Sequence, residues 1–297
     1  MIASARDAEP VGPLPNFLII GAMKAGTTSL YHYLGAHPQI YMPAFKAPEF
    51  FAGESHWRRG IGWYRKQFAA AEPDAVAIGE ASNVYTKYPR YQGVPQRIAA
   101  YVPDMRLIYV VRNPIDRIRS HYQTRVAEGT ERAAFEVAVF ENPIYLDYSR
   151  YSLQIEQYMS WFSREQLLVL TSDDLRAARS ATVRKAYEFL GVDAGFVPAE
   201  LERDFYLTKD KAARSPVPVW LRKGLKTHFP ATKRFKELES NVVRGINRLR
   251  PTEAGPDPAR PFSIPVEARA KLASLLADDV ARLRSFLGAE FDGWGIV

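Results

Sequence analysis

The sequence contains no cysteine among its 297 residues. This absence excludes disulfide bonds, thiolate catalysis and cysteine-based zinc sites, and it suits the reducing cytoplasm, where we expect the protein to reside. Long hydrophobic runs are also missing, so the sequence indicates neither a secretion signal nor a membrane span. The first fifteen residues contain three prolines and several charges. We therefore predict a flexible tail over residues 1–14 and a single domain over residues 15–297.

Positive charge is concentrated in one part of the chain. Residues 219–250 contain nine Lys and Arg residues against two glutamates, an excess that equals the net charge of +7 of the whole chain. Apolar residues recur there at three- and four-residue steps, which predicts an amphipathic helix with a basic face. That face is either a solvated surface or a wall that attracts an anionic cofactor or acidic substrate. No aromatic-interleaved basic motif accompanies it, so we expect no nucleic-acid partner.

Strand and helix patterns alternate along the chain. Strands are predicted at residues 17–20, 75–78, 106–111 and 166–170. Helices are predicted at residues 28–36, 96–101, 114–128, 151–162, 182–190 and 266–287, with Leu272, Leu275, Leu276, Val280, Leu283 and Leu287 of the last one facing inward. This alternation is typical of an α/β fold in which helices cover both faces of a central, mainly parallel sheet.

A glycine-containing loop follows the first predicted strand. Gly21 and Gly26 are separated by four residues, and Gly26 is followed by Thr-Thr-Ser at the start of an amphipathic stretch. Loop amides at a helix N-terminus form a cradle for phosphate, and this glycine spacing matches that of P-loop nucleotide triphosphatases. Those proteins carry lysine directly after the second glycine, whereas here Lys24 precedes it by two residues. The loop therefore predicts a phosphate site and argues against an ordinary ATPase or kinase.

A second motif follows the strand at residues 106–111. The chain continues with Arg112-Asn-Pro and places Ser120 two turns into the predicted helix. A P-loop triphosphatase tends to end such a strand with a magnesium-binding aspartate. A guanidinium at a strand end together with a helix hydroxyl instead forms a second anion site. Two anion sites on one sheet imply a nucleotide that carries phosphates at both ends.

These motifs resemble those of the sulfotransferases that use 3′-phosphoadenosine 5′-phosphosulfate (PAPS), particularly the bacterial and heparan-sulfate-type branch. The resemblance covers about residues 15–297 and is strongest in the two anion motifs. Its segments are GAMKAGTTSLYHYLGAHP (21–38), KAPEFF (46–51), GWY (62–64), GEAS (79–82), VVRNPIDRIRSHY (110–122), REQLLVL (164–170) and LGAEFDGW (287–294). It implies a three-layer sandwich with a P-loop-like sulfotransferase fold.

The resemblance also implies roles for individual residues. In this family the loop lysine, here Lys24, contacts the bridging oxygen where charge develops as the sulfuryl group leaves. The loop amides and hydroxyls that surround the 5′-phosphosulfate correspond to Ala25, Gly26, Thr27, Thr28 and Ser29. The 3′-phosphate is held by an arginine and a serine, here Arg112 and Ser120. A late basic loop closes over the nucleotide, and we assign it to residues 205–215, with Lys211 and Arg214 reaching phosphate although the family's glycine is missing there.

The catalytic base departs from the family pattern. Many relatives place a glutamate after the lysine that corresponds to Lys46, but this chain has Ala47 there and a carboxylate at Glu49. Three interpretations stay open. Glu49 occupies the same space through a shifted backbone, or Glu80 or His121 supplies the base, or an acidic acceptor such as a phenol needs little help. We take Glu49 as the predicted base.

The sequence therefore predicts a sulfotransferase that moves a sulfuryl group from PAPS to a hydroxyl of a small-molecule, sugar or aryl acceptor, with an amine as the less favoured acceptor group. The reaction releases the bisphosphate (PAP) without a metal. The alternatives are a P-loop-type kinase with an altered phosphate loop and a non-catalytic polyanion-binding module. Residues 53–74 and 125–150 are candidate acceptor loops. Their aromatic residues either stack on the acceptor or pack the core.

Overall fold

The protein contains a five-stranded parallel sheet. The computed structural model describes residues 12–203, 205 and 262–297. The strands are β1 (Phe17–Gly21), β2 (Ile40–Tyr41), β3 (Ala77–Ala81), β4 (Arg106–Val111) and β5 (Leu167–Thr171). Their order across the sheet is β2–β3–β1–β4–β5, and each neighbouring pair is parallel. The loop that follows β1 therefore lies at the middle of the sheet.

Helices connect these strands within the described residues. In chain order they are α1 (Thr27–Gly35), α2 (Glu54–Trp57), α3 (Gly60–Lys66), α4 (Val94–Tyr101), α5 (Pro114–Ala127), α6 (Phe135–Glu141), α7 (Ile144–Asp147), α8 (Tyr151–Met159), α9 (Asp174–Ala177), α10 (Arg179–Leu190) and α11 (Val266–Leu287), with short 3₁₀ turns at Arg164–Gln166 and Gly293–Gly295. No helix in the described ranges is both long enough and apolar enough to cross a membrane.

Both faces of the sheet are covered. Every residue of β1 is buried, and so is every residue of β4 after Arg106. Because successive strand residues point to opposite faces, continuous burial requires packing on both sides of the sheet. The predicted α/β sandwich with a parallel central sheet is confirmed.

The position of β3 differs from the prediction. The strand begins at Ala77 and runs to Ala81, two to three residues later than the predicted 75–78. Glycine and glutamate are poor strand formers, so a prediction from residue preferences ends the strand before Gly79 and Glu80. Packing overrides this preference, because a Cβ on Gly79 would lie 2.4 Å from the ring of Phe17 on the neighbouring strand. Glu80 consequently belongs to a buried strand.

The two predicted acceptor loops contain helices. Residues 53–74 include α2 and α3, and residues 125–150 include the end of α5 together with α6 and α7. Tyr64 and Tyr145 are fully buried, and Tyr148 is almost so. For these side chains the structure favours core packing over stacking on an acceptor.

The two ends of the described chain refine the predicted organisation. Helix α11 has its predicted bounds, but Leu275 is 43% exposed, so its predicted inward position is wrong. Leu272 and Leu276 on either side of it are fully buried and define the inward stripe.

At the other end, Gly12 was predicted to lie in the tail, yet it is buried and its carbonyl accepts a hydrogen bond from Arg65 Nε at 2.7 Å.

Candidate functional site

The loop between β1 and α1 has the conformation of an anion cradle. Gly26 adopts a left-handed conformation with φ 99° directly before α1, and no described side chain caps the first turn of this helix. The first-turn amides and the positive end of the helix dipole therefore face the loop. Lys24 is also left-handed, with φ 75°. Non-glycine residues rarely adopt this strained conformation, and it concentrates at functional positions.

The second motif directly contacts this cradle. Arg112 follows β4, and its Nη1 donates a hydrogen bond to the Lys24 carbonyl oxygen at 3.2 Å. Helix α5 starts at Pro114, and the Asn113 side chain caps it by accepting from the amides of Ile115 and Asp116. Burial and then the charge of Arg176 lower the pKa of Arg112. The guanidinium is thus fixed between the cradle and the start of α5.

A single cleft of about 810 Å³ joins the two motifs. The predicted site residues that line it are Lys24, Gly26, Thr27, Thr28, Ser29, Arg112 and Ser120. Ala25 is outside this lining. It is fully buried, and its amide donates to the Ala22 carbonyl oxygen at 3.2 Å. The cleft opens at the carboxyl edge of the sheet, where parallel α/β folds bind ligands.

Other cleft residues were missed by the sequence analysis. The cations Lys46, Arg119, Arg125 and Arg176 also line the cleft, whereas Glu128 is the carboxylate in the described lining. This cationic excess fits a polyanionic ligand. Lys46 and Arg119 lie inside the segments 46–51 and 110–122 that resemble sulfotransferase motifs, so the sequence offered a signal for both as site residues. Arg176 follows β5 without any motif, and only the fold brings it here.

Phe205 closes one side of the cradle. The Ser29 hydroxyl donates to the Phe205 carbonyl oxygen at 3.2 Å and accepts from the Phe205 amide at 3.3 Å. The Phe205 ring stacks on His32, with 4.2 Å between ring centroids. One hydrogen-bonding hydroxyl of the predicted loop therefore anchors the segment at residue 205.

Glu49 lies next to the described cleft lining rather than in it. Its amide donates to Ser82 Oγ at 3.0 Å, just beyond the end of β3. Ala47 and Glu49 both have positive φ, at 66° and 56°, so the backbone here is strained in the same way as at Lys24. Burial lowers the pKa of Lys87 to about 8, and the Glu49 carboxylate opposes this effect. Glu49 and Lys87 therefore interact electrostatically.

Glu80 is buried inside the fold. It is 0% exposed, and its Oε1 accepts hydrogen bonds from the hydroxyls of Tyr85 at 2.7 Å and Tyr64 at 3.2 Å. Burial raises the pKa of Glu80 from 4.5 to about 7, with the hydrogen bonds of Tyr85, Ser82 and Tyr64 opposing the rise. A carboxyl enclosed in this way has no access to an acceptor. Its position therefore favours a structural role over the alternative of a catalytic base.

The raised pKa predicts a pH-dependent stability. The folded state holds the Glu80 proton more tightly than the unfolded chain, so its contribution to the free energy of unfolding is fully present below pH 4.5 and is lost as pH rises through about 7. In Glu80→Gln this loss is absent. The free energy of unfolding of the variant, relative to that of the parent, should therefore rise by about 2–3 kcal/mol between pH 5 and pH 8. Urea denaturation at pH 5 and pH 8 measures these free energies of unfolding. Glu72→Gln, which changes an exposed glutamate, is the control. Parallel pH dependence in Glu80→Gln and the parent would contradict the buried-carboxyl account.

His121 lines the cleft and is only 6% exposed. Its Nδ1 has no hydrogen-bond partner among the described residues. Burial lowers the pKa of His121 to about 2, and the charges of Arg117, Arg125, Lys87 and Lys24 add to the effect. The imidazole is therefore neutral at physiological pH and suited to accept a hydrogen bond, but it is a weak base.

Several predictions concern residues beyond the described part of the chain. Lys211, Arg214 and the basic segment at residues 219–250 lie outside the described residues. Within the described residues, no group of three or more His, Asp or Glu side chains is placed to hold a metal ion.

The chain is similar to known proteins in sequence. Residues 14–237 match the family model of the sulfotransferase domain. The bifunctional heparan sulfate N-deacetylase/N-sulfotransferase 4 of Mus musculus is 30% identical over 199 residues, which are 60% of this chain and 22% of that protein. The bifunctional heparan sulfate N-deacetylase/N-sulfotransferase 2 of Homo sapiens is 28% identical over 198 residues, which are again 60% of this chain and 22% of that protein. The chain thus spans about a fifth of the length of these curated relatives.

The likeness extends to a solved structure. The crystal structure of a sulfotransferase from Alicyclobacillus acidocaldarius is 26% identical, with a TM-score of 0.66, and the match covers 95% of this chain and 99% of that one. The family model covers well over half of the sequence, and both anion motifs line one cleft in the fold that the family shares. The chain belongs to the sulfotransferase family.

Proposed function

We propose that this protein transfers a sulfuryl group from PAPS to a hydroxyl of a glycan or small-molecule acceptor. The observation that carries the proposal is the hydrogen bond from Arg112 to the Lys24 carbonyl, which unites the two anion motifs in one cationic cleft. Bound PAPS supplies the activated sulfuryl group and a nucleotide leaving group. The described residues of the cleft lining fit such a donor because they offer helix amides and several cations against one carboxylate.

Lys24 and the start of α1 act on the leaving group in this proposal. As the sulfuryl group departs, negative charge grows on the 5′-phosphate. The Lys24 ammonium and the amides of Gly26, Thr27 and Thr28 meet that charge from fixed positions, so that no reorganisation is needed as the charge develops. Lysine and the helix dipole together provide the stabilisation that Mg²⁺ gives in kinases.

Arg112 and Ser120 hold the 3′-phosphate in this proposal. Arg112 is fixed by its bond to the cradle, and Ser120 lies two turns into α5 on the same cleft wall. We assign Lys211 and Arg214 to a basic loop that covers the nucleotide. Because the two phosphate sites are separate, the chain selects a nucleotide with phosphates at both ends.

For the proton of the acceptor we propose Glu49 as the base. Its segment also carries Lys46, which reaches the cradle, and its amide is fixed to Ser82. Its carboxylate acts electrostatically on the ammonium of Lys87. A neutral His121 in the cleft wall would accept a hydrogen bond from the acceptor and orient it.

The names of the relatives support an acceptor class. The names of the relatives include heparan sulfate N-sulfotransferases, which supports a glycan acceptor and makes an amine the second candidate to a hydroxyl. A panel of sugar, amino sugar and phenol acceptors separates these classes. We further propose a cytoplasmic location, supported by the lack of cysteine, and a single domain over residues 15–297.

The proposed nucleotide predicts a binding preference. PAP should bind more tightly than AMP, because loss of the 3′-phosphate removes charge-assisted hydrogen bonds worth about 1.5–3 kcal/mol each. Arg112→Ala should weaken PAP binding by about 10–100-fold and leave AMP binding nearly unchanged. Isothermal titration calorimetry measures both constants.

A matched control is Arg184→Ala, since Arg184 is 62% exposed on α10 and remote in sequence from both motifs. This variant should bind PAP like the parent protein. If the parent bound AMP and PAP equally, the assignment of Arg112 and Ser120 to the 3′-phosphate would be wrong.

A further inference from the structure

Lys46 is held against the first turn of α1. Its Nζ donates a hydrogen bond to Thr28 Oγ1 at 2.6 Å and lies 5.8 Å from the centroid of the Tyr31 ring. The Tyr31 hydroxyl also donates to the carbonyl oxygen of Pro43. The segment after β2 is therefore anchored to α1 at two points, and its ammonium lines the cleft beside the cradle.

The sheet order defines the side from which Lys46 reaches the cradle. The cradle follows the central strand β1, and the strands β4 and β5 on one side lead into Arg112 and Arg176. The strands β3 and β2 on the other side lead into Asn83 and Lys46. Lys46 and Arg112 thus flank the cradle from opposite sides.

This division orients the bound donor. With the 3′-phosphate at Arg112, the nucleotide extends over the β4 side of the cradle. In-line displacement requires the acceptor to approach sulfur from the side opposite to the leaving phosphate. The sulfuryl group then faces the β3 and β2 side, where Lys46 lies.

Thr28 and Lys46 form a pair of donors at that place. A hydroxyl has one proton and two acceptor lone pairs. Thr28 accepts from Lys46 and keeps its own proton to donate to an anion. The pair thus offers an ammonium and a hydroxyl to the oxygens of a sulfuryl group.

We propose that Lys46 binds the sulfuryl oxygens of the donor, so that it distinguishes PAPS from the spent nucleotide; this inference rests on the proposed function. Lys46 keeps its protons throughout the reaction. The sulfur–oxygen bond to the nucleotide phosphate breaks, the bond from sulfur to the acceptor oxygen forms, and the acceptor proton passes to the base. Because Lys46 meets charge already present in the bound donor, its main effect is on donor affinity, whereas that of Lys24 is on turnover.

The test compares the affinities for PAPS and PAP in Lys46→Gln. Glutamine keeps a donor for Thr28 but removes the charge. Calorimetry without acceptor should give PAPS binding weakened by about 10–100-fold, the loss expected for a charge-assisted bond, with PAP binding changed by less than about twofold. Lys46→Arg should retain most of the PAPS affinity. Lys185→Gln, which changes an exposed lysine on α10, is the matched control.

Each other outcome has a definite meaning. Equal weakening of PAPS and PAP would show that Lys46 only supports the cradle through Thr28, and unchanged binding of both would show that its charge is not used. Either result overturns the inference while the proposed function stands. If the parent protein bound neither nucleotide, the proposed function would fail first and the inference with it. Lys46→Met provides the same comparison if Lys46→Gln does not fold.

Discussion

Lys24→Ala should lower turnover by about 10²–10³-fold, the loss typical of removing an oxyanion donor, while PAP affinity changes little. The physical reason is that the ammonium meets charge that grows on the leaving phosphate only as the sulfur–oxygen bond breaks. An interaction made in the transition state changes kcat, whereas one made equally in the ground state changes KM. Steady-state kinetics with varied PAPS, together with calorimetry on PAP, separate the two effects.

The comparison with Arg112→Ala makes this prediction specific. Both residues belong to one cleft and share a hydrogen bond, yet Arg112→Ala should act mainly on nucleotide affinity. If Lys24→Ala raised only the KM for PAPS and left kcat intact, Lys24 would be a binding residue. The proposed stabilisation of the leaving group would then be wrong.

Glu49→Gln should lower the rate by about 10²–10⁴-fold, the contribution expected of a general base. Glutamine keeps the shape and hydrogen-bonding capacity of the side chain but cannot take a proton. PAPS affinity should remain almost unaffected. If Glu49 is the base, the pH–rate profile of the parent enzyme should have an acidic limb that is absent from the profile of the variant.

Two further variants sharpen this test. Ala47→Glu in the Glu49→Gln background restores the carboxylate at the family's usual position and should recover part of the activity where the left-handed backbone at Ala47 permits. Glu72→Gln, on an exposed turn, should behave like the parent enzyme.

Near-normal turnover of Glu49→Gln would remove this residue from the mechanism. His121→Asn then becomes the decisive variant, because His121 is in the cleft lining whereas Glu80 is enclosed by Tyr64 and Tyr85. If His121→Asn were silent as well, the acceptor would be acidic enough to need no base.

The parts of the site that the sequence predicts are local in the chain. The spacing of Gly21, Lys24 and Gly26 defines a strand, a loop and a helix start within one segment, so the cradle follows from short-range rules. Arg112 and Ser120 likewise lie within one strand–helix unit. Their meeting in one cleft also follows, because the carboxyl ends of parallel strands share an edge of the sheet.

The other parts depend on contacts between distant segments. Lys46 reaches Thr28 only because the chain after β2 folds back onto α1, and Phe205 meets Ser29 across 176 residues. Glu80 resembles an exposed glutamate in the sequence, and it becomes buried because packing around Gly79 extends β3. Although Lys46 lies inside the motif at residues 46–51, neither that motif nor any periodicity encodes these contacts.

The central claim is that the cleft transfers a sulfuryl group, and transfer of a radioactive label from two donors tests it most directly. The protein is incubated with glycan, amino sugar and phenol acceptors and either ³⁵S-labelled PAPS or ATP labelled with ³²P at the γ-position. We expect ³⁵S in an acceptor, lost in Lys24→Ala, and no ³²P. Transfer of ³²P alone would identify an altered kinase. Transfer of neither label, with heparin binding that is insensitive to Lys24→Ala, would instead identify a polyanion-binding module and contradict the account.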